Sequence, residues 1–437
     1  MEALGAALAV ILLLAFYLGV GVWVFAGLML VSMTGLLFIK GMPLWQLGAV
    51  MKGTMWKSAS TWELAAIPIF LWMGELIFRT DISARLFRGL APWVDLLPGR
   101  LLHTNILGCT IFAAVSGSST ATTATIGKIT IAALAERRYD GRLAVGSLAG
   151  AGSLGLMIPP SIVMIVYGVL AEVSIARLFA AGLFPGLLAA TLYSGYIAAR
   201  CTLSPELAPS VDRRFTNRDR LRGLLDVLPV AVLIPVVLGG IYAGVATPSE
   251  AAALGLIGTL LLTVATRQLT WPVFVDSLQG AVRITCMVIT ILVAAAFMSS
   301  AMGYLRVPQG IAAGMAALDL GPYGLIALVG AFYLVLGLFL EGLSILVMSL
   351  PITLPLVTAA GFDPIWFGVF LVITVELAQV TPPVGFNLFV LQGLTGQPIG
   401  RIASAAFPFF LLLLSTAVII TLFPAIALWL PGVLYDL

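Results

Sequence analysis

The chain has 437 residues, of which 61% are hydrophobic and 9% charged, with a formal net charge of +3. A soluble domain carries roughly 25% charged residues to cover its surface, so this chain is not a water-soluble globule and most of its surface faces lipid. Its basic residues are scattered through loops, which excludes a nucleic-acid groove. Three cysteines without paired spacing (Cys109, Cys201, Cys286) exclude a disulfide framework or a zinc site.

Apolar stretches of about 20 residues, each long enough to cross a bilayer, begin at once. The first, near 3–19, lacks a basic leader and runs straight into a second at 21–39, so it reads as a retained helix rather than a signal peptide. An amphipathic arm over 42–60 precedes a span at 63–78. Region 105–135 is apolar but interrupted at Ser116-Gly117-Ser118-Ser119, the pattern of a re-entrant hairpin. The lone histidine, His103, just before it, reads as an ordinary interfacial residue. Region 143–171 carries Pro159-Pro160 at its middle. A double proline withdraws two backbone donors and clashes with the preceding turn, so the helix breaks. Broken backbone survives at membrane depth only where protein or a water-filled cavity covers it. A span at 178–199 follows, then a linker at 201–223.

The second half repeats this plan. Spans fall near 224–244 and 251–266, an arm over 270–283, and a span at 284–303. A hairpin at 323–358 is interrupted at Glu341-Gly342, a broken helix at 365–395 carries Pro382-Pro383, and a last span lies near 403–430. The two proline pairs are 223 residues apart, and the same shift carries 116–119 onto 339–342 and 3–19 onto 226–242. The expected fold is therefore an all-α membrane protein of two inverted-topology repeats, 1–200 and 224–437, with re-entrant hairpins and Pro-Pro-broken helices. Counting each hairpin as entering and leaving on one side gives the first half five crossings, and an odd number inverts the second half. With the N-terminus outside, 15 arginines fall inside against five basic residues outside (Lys40, Lys52, Lys57, Arg177, Arg306), while Lys128 and Arg283 are ambiguous. Both termini and the linker are then placed, the termini periplasmic or extracellular and 201–223 cytoplasmic.

Inverted repeats with discontinuous helices mark secondary transporters, whose sites lie where the repeats meet. A broken helix exposes carbonyls at one half and amide N–H groups at the other; the first can replace water around Na+, and the second can hold a carboxylate. In the first half, Ser116, Gly117, Ser118, Ser119 and Thr120 form a hairpin tip facing the glycine-rich stretch Gly152 to Ser161. Small residues also serve plain helix packing in membranes, but here they coincide with a tip and a break. In the second half, Gly337, Leu340, Glu341, Gly342 and Ser344 form the tip, facing Glu376 to Asn387. Glu341 and Glu376 are intramembrane acids, which are costly there; each either carries a proton or caps freed backbone N–H groups. Gly127-Lys128 is not a phosphate loop, because Thr122 and Ile129 stand where that motif needs Gly and Ser or Thr. No nucleotide site follows.

The segments Ser116 to Gly127, Gly155 to Ser161, Glu341-Gly342 with the proline-containing run 351–355, and Thr381 to Asn387 resemble, in order and spacing, the large membrane subunit of tripartite ATP-independent periplasmic (TRAP) transporters, over nearly the whole chain. The resemblance implies an elevator-type importer of organic acids in the bacterial inner membrane, driven by Na+ at about two sites. It implies two partners, a separate small four-helix membrane subunit and a periplasmic substrate-binding protein. It places one Na+ at the Ser116-Gly117-Ser118 tip with the backbone of Gly155, Ile158 and Pro160. A second falls, by the offset, at the 339–342 tip (Leu340, Gly342) with Ala378, Thr381 and Pro383. The cargo acid is expected near Ser119, Thr120, Ser161, Gly342, Ser344, Val384, Gly385 and Asn387, with arms 42–60 and 270–283 bracing a static scaffold. A stand-alone Na+ or H+ symporter shares the inverted plan, a channel fits two closed tips poorly, and a membrane enzyme lacks a nucleophile–base pair.

Overall fold

A computed structural model describes residues 2–209, 215–307, 310, 321–338, 340–382 and 385–435. Among the described residues every regular element is helical. The chain opens with α1 (Glu2–Gly19), α2 (Val24–Thr34, extended by a π-helical turn at Gly35–Ile39) and the arm α3 (Leu44–Ala59). It bends by 51° into Trp62–Phe78, whose α-helical part is α4 (Ala66–Phe78). After α5 (Ile82–Val94) come the hairpin α6 (Leu102–Ser116) and α7 (Ser119–Glu136), the broken helix α8 (Gly141–Gly152), α9 (Leu154–Met157) and α10 (Ile162–Leu170), and the long α11 (Ile175–Leu203). The rest follows as α12 (Asn217–Tyr242), α13 (Pro248–Ala265), α14 (Trp271–Tyr304), the hairpin α15 (Pro322–Gly337) and α16 (Gly342–Ala359), the broken pair α17 (Pro364–Gln379) and α18 (Phe386–Thr395), then α19 (Ile399–Leu422) and α20 (Ala425–Tyr435).

Local chemistry sets these boundaries, and much of it recurs at the offset of 223. Helices α7 and α16 share it at both ends. Their N-caps are Ser118, whose side chain accepts from the Ala121 amide, and Glu341, which accepts from that of Leu343. Helices α8 and α17 start on Asp140 and Asp363, whose carboxylates accept from Leu143 N and from Ile365 and Trp366 N. Such caps satisfy amides that the first turn leaves free. The left-handed turns at Gly21 and Gly244 are also 223 apart.

Burial separates an interior from a lipid-facing shell. The most apolar window of the 141–170 element is 89% buried, and every residue from Leu371 to Val380 is buried. The corresponding windows of α12 and α19 are only 33% and 39% buried. Helices α6, α8 to α10, α16 and α17 thus form the core, and the simple spans surround it. Among the described residues, seven helices, or eight with the bent pair, are long and apolar enough to cross a bilayer. The chain is a multi-pass membrane protein.

Four sequence expectations change. The arm 270–283 and the span 284–303 are one continuous 34-residue helix, α14, because no proline or capping residue interrupts them at Arg283. The last span, 403–430, divides into α19 and α20 at Phe423-Pro424, where the proline cannot continue the helix. Helix α5 was not anticipated: it buries Ile82, Leu86 and Leu90 and turns Arg88 toward Asp81 at 3.0 Å. His103, read as an ordinary interfacial residue, is buried within the protein, with Nε2 donating to the Pro98 carbonyl at 2.7 Å and Nδ1 3.3 Å from Ser194 Oγ.

Candidate functional site

The first tip is a tight turn between α6 and α7. Gly117 sits at φ +60°, which favours glycine, and a Cβ there would lie 2.9 Å from the Pro160 carbonyl. Ser116 ends α6, buried, its hydroxyl 2.8 Å from that of Thr122. Ser118 caps α7 and stands 3.2 Å from the Thr120 hydroxyl. Gly155, in the single turn α9, packs directly on this tip: a Cβ would fall 2.6 Å from Ser119 Cα and 2.7 Å from the Ser118 carbonyl. Ile158 leaves helical geometry at φ −88°, ψ 124°, and fully buried Ser161 caps α10 through the Met164 amide. Of the residues expected around the first Na+, Gly117 and Ser118 of the tip are therefore in close backbone approach to Pro160 and Gly155. Their donors are carbonyl and hydroxyl oxygens, a set suited to a monovalent hard cation at a broken helix.

The second tip meets its own broken helix in the same manner. Gly337 faces Ala378 so closely that a Cβ on the glycine would fall 2.0 Å from the alanine Cβ. Leu340 closes the end of α15 through its amide on Leu336 O. A Cβ on Gly342 would stand 2.8 Å from Gln379 Nε2 and from Val375, and half-buried Ser344 lies in the first turn of α16. Thr381 donates to Leu377 O at 2.6 Å. Gly385 holds φ +41° against the Thr381 and Gln379 carbonyls, 2.9 and 3.0 Å from where its Cβ would be, so only glycine turns the chain into α18 there. Pro383 and Val384 lie outside the described residues. Asn387 is fully buried in the first turn of α18, and among the described residues both its amide atoms lack a hydrogen-bond partner.

The two halves also touch each other. Ser119, at the first tip, donates its hydroxyl to Glu376 Oε1 in the last turn of α17; both residues are buried, and among the described residues Oε2 has no hydrogen-bond partner. Glu341 instead caps α16, the capping role foreseen for an acid at that break. A cavity of about 520 Å³ collects Ser116, Gly117, Ser118, Ser119 and Thr120 with Leu156, Glu341 and Gln379, against Glu75 of α4 and Met287 of α14. Of the residues expected around the cargo, Ser119 and Thr120 line this cavity, whereas Ser161, Gly342, Ser344, Gly385 and Asn387 do not. Glu75 and Gln379 were missed. Glu75 pairs with Arg79 at 3.0 Å, and this acid one turn before an arginine at a span's end could have been noticed. A larger cavity, about 870 Å³, lies elsewhere, lined by Lys57, Glu63, Glu172 and Ser299, with Lys57 and Glu172 paired at 3.2 Å across its rim.

Residues 6–426 match the family model described as tripartite ATP-independent periplasmic transporter, DctM component. The C4-dicarboxylate TRAP transporter large permease protein DctM of Pseudomonas aeruginosa is 34% identical, with 86% of this chain and 88% of that one aligned. The isethionate TRAP transporter permease protein DctMQ of Oleidesulfovibrio alaskensis is 33% identical over 96% of this chain and 65% of its own length. Among solved structures, the YdaH transporter of Alcanivorax borkumensis shares 15% identity and superposes with a TM-score of 0.63, covering 93% of this chain and 96% of that one. At that identity the likeness is one of fold.

Proposed function

The chain belongs to the DctM component family of tripartite ATP-independent periplasmic transporters, and from that premise we propose that it imports an organic acid, driven by Na+, across the bacterial inner membrane. The observation that carries this reading is the convergence of four helix N-termini on two interlocked breaks: α7 and α16 start at the tips, α10 and α18 just beyond the broken segments. Each start carries the positive end of a helix dipole, and at α18 no side chain caps the first turn, which suits a carboxylate without a buried arginine. The C-terminal sides of the same breaks supply the carbonyls of Ile158, Pro160, Ala378 and Thr381. With the hydroxyl of Ser116 they would hold Na+. A bound cation brings positive charge beside the cargo, so each favours the other's binding. A C4-dicarboxylate, the cargo named for the Pseudomonas aeruginosa relative, fits this chemistry.

In this reading the two hairpins and two broken helices move as one body against α3, α4 and α14, in an elevator step. The cavity beside the first tip reaches Glu75 and Phe78 at the Arg79 end of α4. The distribution of arginines turns that end toward the cytoplasm, which makes the cavity the release-side opening. A periplasmic binding protein delivers the cargo from the other side, and a small membrane subunit braces the scaffold. The test is uptake of labelled succinate into proteoliposomes holding the chain with its small subunit. Uptake is expected only with an inward Na+ gradient and the binding protein present. Equal uptake without the binding protein would favour a stand-alone symporter and overturn the tripartite reading.

A further inference from the structure

The contact between Ser119 and Glu376 joins residues 257 positions apart. Each partner stands next to a different cation set. On one side, the Ser119 backbone is in contact with Gly155. On the other, Glu376 lies two residues before Ala378 and five before Thr381 on α17 and the turn that follows it. The contact is buried on both sides, and among the described residues no Lys, Arg or His nitrogen comes within 4 Å of the Glu376 carboxylate. A second, apolar contact runs parallel to it, since Leu156, the residue after Gly155, reaches the space above Gly342.

The link is one-sided. The residue 223 positions before Glu376 is Ser153, and its hydroxyl serves its own half, donating to Gly150 O at 2.7 Å and lying 3.1 Å from Tyr193 OH. Repeat geometry alone therefore does not require an acid at 376. A hydrogen bond in a low-dielectric interior is stronger than the same bond in water, which makes this one a firm connection between two packed segments.

We infer that Glu376 is a positioning residue that couples the two cation sites. By holding Ser119, it fixes the first tip in register with the broken helix of the second half. Filling the first set rigidifies the tip and, through Ser119 and Glu376, the end of α17. The second set then binds an already ordered frame, and the coupling is reciprocal because linkage requires it. This inference rests on the Na+-driven reading above, but it assigns a role to a residue outside both cation sets.

The test is the dependence of melting temperature on NaCl concentration at constant ionic strength, made up with choline chloride, using the full chain with its small subunit. The wild type should respond steeply, with a Hill coefficient approaching about 2 for two coupled sites. Glu376→Gln and Ser119→Ala should each flatten the response to a coefficient near 1 and raise the midpoint about tenfold. The double variant should add nothing further, as a shared contact demands. A merely structural role would lower the melting temperature in every salt and leave the steepness unchanged, which would overturn the inference. If Glu376→Gln fails to fold, Ser119→Ala carries the same comparison. A wild type indifferent to NaCl would overturn the Na+ reading itself, and the coupling with it.

Discussion

Replacing Gly155 with alanine should weaken the Na+ response about ten- to a hundredfold and reduce uptake in parallel. The new methyl would stand 2.6 Å from Ser119 Cα and 2.7 Å from the Ser118 carbonyl. Both are backbone atoms at the start of α7, so no side-chain rotation relieves the clash. Overpacking of this kind costs about 1–3 kcal/mol, and each 1.4 kcal/mol is a tenfold change in an equilibrium. The relief available is withdrawal of the tip from the broken helix, which spoils the very approach that would gather carbonyls around an ion. The residue 223 positions on, Ala378, keeps its methyl because Gly337 opposite it has none. The same surface is thus closed by a glycine on the broken helix in one half and on the hairpin in the other, and Gly337→Ala should mirror Gly155→Ala. Gly141→Ala is the control, since nothing lies within 4 Å of a Cβ there. Normal sodium midpoints in Gly155→Ala would show that the contact is ordinary helix packing.

Asn387→Leu should separate transport from stability. The amide is fully buried, with neither nitrogen nor oxygen partnered among the described residues. Leaving such groups unsatisfied costs about 1–3 kcal/mol each, and functional sites are where proteins tolerate this. The leucine variant should therefore melt at or above the wild-type temperature in the absence of cargo. Its uptake of succinate should fall by about ten- to a hundredfold, the loss of a hydrogen bond to a charged group being worth about 1.5–3 kcal/mol. A lowered melting temperature with uptake intact would make the amide structural instead.

Much of this arrangement is legible in the sequence because it depends on local backbone chemistry. Pro159-Pro160 and Pro382-Pro383 cannot sit inside a helix, and Ser116 to Ser119 cannot easily continue one, so breaks and tips fall where the residues demand them. The offset of 223 was visible for the same reason, and it reappears in the caps Asp140 and Asp363. What escaped depends on partners distant in sequence. Nothing in the residues around Glu376 indicates that its carboxylate meets Ser119, and nothing around His103 indicates Ser194 as a neighbour. The continuity of α14 was missed because an amphipathic beginning and an apolar end look like two elements when no breaker stands between them. Helix α5 was missed because its arginines read as loop, whereas they pair along one face while Leu86 and Leu90 pack beneath.

The claim that the two interlocked breaks hold Na+ is tested most directly by melting the purified protein in NaCl, KCl and choline chloride at equal ionic strength. An ion that binds the folded state raises stability by mass action, whatever the cargo. The expected result is a rise specific to NaCl, weakened by Ser116→Ala in the first set and by Thr381→Ala in the second. Identical melting in the three salts, from millimolar to molar concentration, would contradict it.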